Sequence, residues 1–148
     1  MAPRITLRPI NESNWEEAAK LELRPEQEEF IFSNLWSIAE SGFHAELHPM
    51  AIRNGQTMVG FLMWGKLPKD GKMWLLRFMI DRRWQGSGFG TIALEQLLEE
   101  VRDAGVAELE VGFHPDNETA KRLYVRAGFE LTGIAHWGEL TARKTFQG

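Results

Sequence analysis

Cysteine is missing from this 148-residue chain, so neither a disulfide framework nor a thiol nucleophile is available to it. That absence is expected of a cytoplasmic protein. Long apolar runs are missing too. The longest, Met58 to Trp64, is too short to cross a bilayer. The opening residues, Met1 to Arg8, are too polar for a secretory leader, so no membrane partner is expected. No basic face is visible, which argues against a nucleic-acid partner. Tyrosine is almost absent: the chain holds one, against nine phenylalanines and six tryptophans. No internal repeat, low-complexity tract or linker interrupts it, and residues 1–148 are expected to form a single domain.

What is present is unevenly distributed. Residues 1–50 carry nine acids and four bases, whereas the remainder carries twelve acids and thirteen bases. From Asn11 to Ser41 eight acids stand with only Lys20 and Arg24 as bases. An acidic surface of this kind concentrates cations, although solvated helix faces give the same pattern. His44 and His48 lie four apart, but Pro49 spoils a helical pair and no third ligand is evident, so no metal is expected.

Local patterns give an order of elements. Ile5 to Arg8 alternates as a strand and stops at Pro9. Asn11 to Trp15 reads as a helix start leading through Glu16 to Leu21. Pro25 suits a first helical position, and Glu26, Glu28 and Glu29 suit the first turns after it. Phe32, Leu35, Trp36 and Ala39 recur at i, i+3, i+4 and i+7, which predicts one buried helical face ending at Gly42. Asn54-Gly55 between two apolar runs predicts a hairpin, and Pro68 to Gly71 a second turn into Met73–Ile80. A helix from Thr91 to Asp103 follows, then a strand from Val106 to Phe113. A helix capped at Asp116 or Asn117 and stopped by Gly128 comes next, then strands at 129–135 and 139–146.

The most informative segment is Gln85-Gly86-Ser87-Gly88-Phe89-Gly90, between the strand ending at Ile80 and the helix starting at Thr91. Glycines let the backbone curl and approach a ligand, and the N–H groups opening the helix favour an anion, so a phosphate or diphosphate is the expected guest. A P-loop would need a lysine after the last glycine, where Thr91-Ile92 stands. The dinucleotide fingerprint would need its third glycine at Thr91, and a parallel βαβ unit where this chain has an antiparallel meander.

The pattern Gln85-x-x-Gly88-x-Gly90 resembles the coenzyme loop of the GNAT family of N-acetyltransferases. A second stretch, Asn117-x-x-Ala120-x-x-Leu123-Tyr124-x-x-x-Gly128-Phe129, resembles that family's second signature at the family's usual separation. The order of elements matches over nearly the full length. The resemblance implies an α/β (α+β) fold: a mixed, mostly antiparallel sheet of about seven strands with about four helices, splayed between the fourth and fifth strands. It implies acetyl-CoA as cofactor, its diphosphate held by Gln85, Gly86, Ser87, Gly88, Phe89, Gly90 and Thr91. Phe78, Met79 and Ile80 would hydrogen-bond the pantetheine arm and polarise the thioester carbonyl. Asn117 and Lys121 are further implied contacts, and Arg82 or Arg83 would meet phosphates.

Ala120, Leu123, Tyr124 and Ala127 share one helical stripe, so Tyr124 faces inward. A core aromatic explains this, though phenylalanine would serve as well. The resemblance implies instead that Tyr124 protonates the departing thiolate. Some family members carry a base on the strand before the loop, but Met73 to Ile80 offers no acid. Glu110 and His114 are the candidates, beside a water chain to a distant acid. For the acceptor, the run from Leu7 to Glu40 resembles bacterial spermine/spermidine acetyltransferases. The amine would meet Glu26, Glu28 and Glu29, with Phe32 and Trp36 lining a channel or simply packing in the core. Another amine (an antibiotic, an amino acid or a protein N-terminus) or a non-catalytic acetyl-CoA sensor stays open, as does a homodimer.

Overall fold

The computed structural model describes residues 2–25 and 33–147. Seven strands form one sheet: β1 (Ile5–Pro9), β2 (Leu47–Asn54), β3 (Thr57–Lys66), β4 (Met73–Ile80), β5 (Glu108–Phe113), β6 (Glu130–Ile134) and β7 (Leu140–Thr145). Four helices accompany them: α1 (Trp15–Ala19), α2 (Asn34–Ser41), α3 (Phe89–Asp103) and α4 (Glu118–Arg126). The strand order is β1-β2-β3-β4-β5-β7-β6. Every neighbouring pair is antiparallel except β4 and β5. This is the seven-stranded mixed sheet with four helices that the order of elements implied. The hairpin at Asn54-Gly55 forms as expected, with Gly55 at φ 61° in the left-handed region the turn demands.

The parallel pair is the exceptional one. β4 and β5 are joined only at Trp74–Glu110 and Leu75–Val111. β4 runs on to Ile80 and β5 to Phe113, so the two strands part beyond Leu75, at the splay anticipated from the sequence. The β3–β4 register also shifts between Met63 and Trp64, which pair with Arg77 and Leu75 and leave Leu76 as an extra residue. That bulge turns Arg77 toward α2 and Phe78 toward α3.

Two apolar clusters cover the two faces. The larger unites Leu62, Leu75, Val111 and Phe113 of the sheet with the inward stripes of α3 and α4. The smaller gathers Ala51, Phe61, Met63 and Met79 beneath α1 and α2.

The phase expected for α2 is wrong. Leu35 and Trp36 are 54% and 58% exposed and Ala39 faces solvent, while Asn34 and Ser37 are buried. Polar anchors set this rotation. Ser33 Oγ accepts the Trp36 N–H at 3.1 Å, Asn34 Nδ2 donates to the Ala18 carbonyl at 2.9 Å, and Arg77 Nε donates to Ser37 Oγ at 2.7 Å. Unmade, the bonds of buried Asn34 and Ser37 would leave polar groups desolvated, which outweighs exposing two apolar side chains. Phe32, Glu26, Glu28 and Glu29 lie outside the described residues.

Candidate active site

At the end of β4 the chain turns through a 3-10 segment, Arg82–Trp84, into the glycine loop. Buried Asp81 fastens this turn: its carboxylate accepts from the N–H groups of Glu22 (2.9 Å) and Arg83 (3.0 Å) and from Arg83 Nε (2.8 Å). Burial pushes this carboxyl up, but those bonds outweigh it and hold the group below the ordinary carboxylate value. Arg82 pairs with Glu22 at 3.0 Å, and both side chains are exposed. The two arginines expected at phosphates are therefore engaged with carboxylates.

Gly86 and Gly88 sit at φ 84° and 80°, where other residues are strained, and a Cβ added to either would meet nothing within 4 Å. The space over the loop is an open cradle that a side chain would fill. The first bond of α3 runs from the Ile92 N–H to the Gly88 carbonyl at 3.3 Å, so the N–H groups of Phe89, Gly90 and Thr91 open the helix without a partner inside it. Unpaired donors at the positive end of the fifteen-residue α3 fit a diphosphate. Ser87 and Thr91 are exposed beside them.

Three loop residues also shape the loop itself. Gln85 turns its side chain back to the Ile80 carbonyl at 2.9 Å and so closes the loop. Phe89 is buried in the larger core and can offer a ligand only its main chain. Gly90 lets α3 lie close on β4, since a Cβ there would touch Ile80 at 3.6 Å and Phe78 at 3.7 Å. Phe78 and Ile80 pack against the larger cluster and Met79 belongs to the smaller one, leaving the β5-facing edge of this stretch without a strand partner. A groove of about 320 Å³ between α3 and α4 opens beside Thr91 and carries Arg122 and Arg126, which the sequence patterns had not singled out.

Tyr124 stands on the opposite wall. It is only 6% exposed, with its ring 5.6 Å from Phe113 and 5.4 Å from Phe129. Burial, and then the charge of Glu139, push its phenol well above the usual tyrosine value. At neutral pH it is therefore protonated. Asn117 caps α4, its Oδ1 accepting from the Ala120 N–H at 3.1 Å, and Lys121 lies half-buried one turn on.

The two candidate bases are held elsewhere. Glu110, 5% exposed, accepts from Arg143 Nε at 2.8 Å, and that bond raises the arginine further above its usual value. His114 Nδ1 accepts the Asp116 N–H at 3.1 Å, which shapes the turn before α4. Glu139, not singled out from the sequence, accepts from Trp137 Nε1 at 2.6 Å beside Gly112 of β5. Its field reaches both Tyr124 and Arg77. Burial pulls the Arg77 guanidinium below its ordinary value, opposed by Glu40 and Glu139. Only the pairing of β5, β6 and β7 brings Glu139 here, so no local pattern announced it.

The family model of the Acetyltransferase (GNAT) family matches residues 8–129. The chain belongs to the GNAT acetyltransferases. It is 27% identical over 136 residues to the spermine/spermidine N(1)-acetyltransferase of Bacillus subtilis (strain 168), covering 87% of this chain and 90% of that protein. Among solved structures, the PaiA N-acetyltransferase of Thermoplasma acidophilum, in complex with coenzyme A, superposes with a TM-score of 0.71 at 17% identity, covering 97% and 99% of the two chains. An aminoglycoside acetyltransferase in complex with coenzyme A gives 0.78 at 19% identity, covering 96% and 95%. As a GNAT protein the chain is an N-acetyltransferase that uses acetyl-CoA. Among the described residues no helix is long and apolar enough to cross a membrane.

Proposed function

We propose that this N-acetyltransferase acetylates a primary amine of a polyamine of the spermidine or spermine class, with Tyr124 as general acid. The observation that carries the substrate class is the likeness, over 87% of the chain, to a relative named for spermine and spermidine. The acidic surplus between Asn11 and Ser41 supports it, because a polycation gains from every added carboxylate nearby.

Acetyl-CoA supplies the acetyl group as a thioester. The main-chain donors of Gly86 to Thr91 would hold its diphosphate, and Arg122 and Arg126 would flank its nucleotide end. The unpaired edge of β4 from Phe78 to Ile80 would bind the pantetheine amides and aim an N–H at the thioester oxygen. Tyr124, protonated at neutral pH, would deliver its proton to sulfur as the thiol departs. A phenol is a weaker acid than a thiol, so this transfer is effective only while the C–S bond is breaking.

The test is thiol release across an amine panel. Spermidine and spermine should exceed simple monoamines in kcat/KM by about tenfold or more, the equivalent of ~1.4 kcal/mol. Equal turnover of monoamines, aminoglycosides or peptide N-termini would remove the polyamine assignment.

A further inference from the structure

Glu139 is the charged group that this mechanism leaves without a task. It stands in the β6–β7 turn, immediately before β7. Its neighbour Leu140 pairs with Phe113 of β5 and with Ile134 of β6. Phe113 in turn stacks on Tyr124. The strand register thus seats Glu139 at the open end of the fissure, against Gly112 on the α1/α2 face, across the strand from Phe113 and Tyr124. Its Oε1 accepts from Trp137 Nε1 at 2.6 Å. The same oxygen occupies room that exists because residue 112 is glycine: a Cβ on Gly112 would lie 2.9 Å from it. Oε2 makes no hydrogen bond among the described residues.

We propose that Glu139 receives the acceptor's ammonium group and takes the proton that the nitrogen sheds during transfer. The inference rests on the N-acetyltransferase reading above and supplies the base that reading lacks. Neither earlier candidate competes for the role, since Glu110 is held by Arg143 and His114 Nδ1 by the Asp116 N–H.

The bonds balance as follows. The bound ammonium first loses one proton to solvent, and the amine lone pair so freed forms the N–C bond at the thioester carbonyl carbon. The C–S bond breaks with its electron pair left on sulfur. The nitrogen's proton passes to Oε2 of Glu139, and the proton of Tyr124 passes to sulfur. Solvent then takes one proton from Glu139 and returns one to Tyr124. A carboxylate is a weak base toward a free ammonium, but nitrogen bonded to the carbonyl carbon is far more acidic, and there the transfer runs downhill.

The arrangement couples the two proton movements. The Glu139 charge opposes ionisation of the phenol. Once the carboxylate is protonated that opposition disappears, just as sulfur demands the phenol's proton. Arg77 of β4 feels the same charge from across the fissure.

Four variants test this. Glu139→Gln should lower kcat by about 10²-fold and flatten the acid limb of its pH profile. Gly112→Ala leaves the carboxylate intact but forces it aside, and should lower kcat in the same direction with an unchanged melting temperature. The double variant should then cost no more than Glu139→Gln alone, because both act through one group. A readout without substrates is also available, since Tyr124 is the single tyrosine of the chain. Its ultraviolet phenolate absorbance should rise at lower pH in Glu139→Gln than in the parent. Trp137→Phe, which removes only the N–H donor, should give a smaller loss of kcat. Unchanged kcat and unchanged phenol titration in Glu139→Gln would overturn the assignment. If Tyr124→Phe nevertheless lost activity, the transferase reading would stand without Glu139. If no amine drove thiol release in the parent protein, both would fall together.

Discussion

The two faces of the sheet are built on different principles. Under α3 and α4 the contacts are apolar and continuous, and the features proposed to meet the coenzyme are backbone ones: left-handed glycines, N–H groups at a helix start and a strand edge. Under α1 and α2 the apolar cluster is small, and polar bonds hold the elements, with Asn34 tied to Ala18 and Ser37 to Arg77. A ligand shared by a whole family can be gripped by main chain, which every sequence possesses. An acceptor that differs between members must be chosen by side chains, and in the reading proposed above the α1/α2 face, with its charge, tryptophans and buried polar anchors, would do so.

This contrast can be broken most forcefully at the coenzyme side. Tyr124→Phe keeps the ring between Phe113 and Phe129 and removes only the hydroxyl. It should lower kcat by about 10²- to 10⁴-fold with coenzyme affinity little changed, measured by steady-state kinetics and calorimetry. An unaltered kcat would return Tyr124 to a packing role. Next in size is Gly88→Val, which imposes a β-branched residue at φ 80° and fills the open cradle. Coenzyme binding by calorimetry should disappear. Gly90→Ala, at an ordinary φ with contacts of 3.6 and 3.7 Å, should retain it. Equal losses in both would show that the loop is not read through its backbone.

Smaller effects probe the seam between the faces. Asp81→Asn should cost about 1–3 kcal/mol in denaturant unfolding, because it weakens a buried carboxylate's bonds to Glu22 and Arg83. The pH sign follows from the lowered carboxyl. Its stabilisation is complete above the ordinary value, near 3.9, and is lost as the pH falls through the lowered one. The variant should therefore lose part of the acid sensitivity of unfolding, and a parallel acid profile would contradict this. Smallest is the pair Glu28→Gln and Glu29→Gln on the acceptor side, which should raise KM for spermidine a few-fold, about 0.5–1 kcal/mol, and more at low salt. A KM indifferent to both charge and salt would put the polycation elsewhere.

The coenzyme face was also the legible one. A glycine loop, an N-cap at Asn117 and an apolar stripe through Tyr124 are local patterns, and each predicted its element. The failures arose where distant segments decide. The period of Leu35, Trp36 and Ala39 is helical, but which side faces inward was settled by Ala18 and Arg77, many residues away. Nothing local announced that β7 would bring Arg143 against Glu110, and Glu139, which read as the first residue of the last strand, stands instead in the turn before it, where the pairing of β7 with β5 carries it to the fissure.

The extra residue in β4 has a consequence for reading relatives of this chain. Leu76 shifts the alternation of the strand, and from that point each side chain takes the side its predecessor would have had. Deleting it would leave Arg77 toward α2 and Phe78 toward α3, now in unbroken alternation with Leu75, whereas straightening the strand with Leu76 kept would swing Arg77 into the oily layer beneath α3 and send Phe78 toward α2. Any residue-by-residue correspondence drawn through this strand without allowing for the irregularity would assign every position after it to the opposite side of the protein.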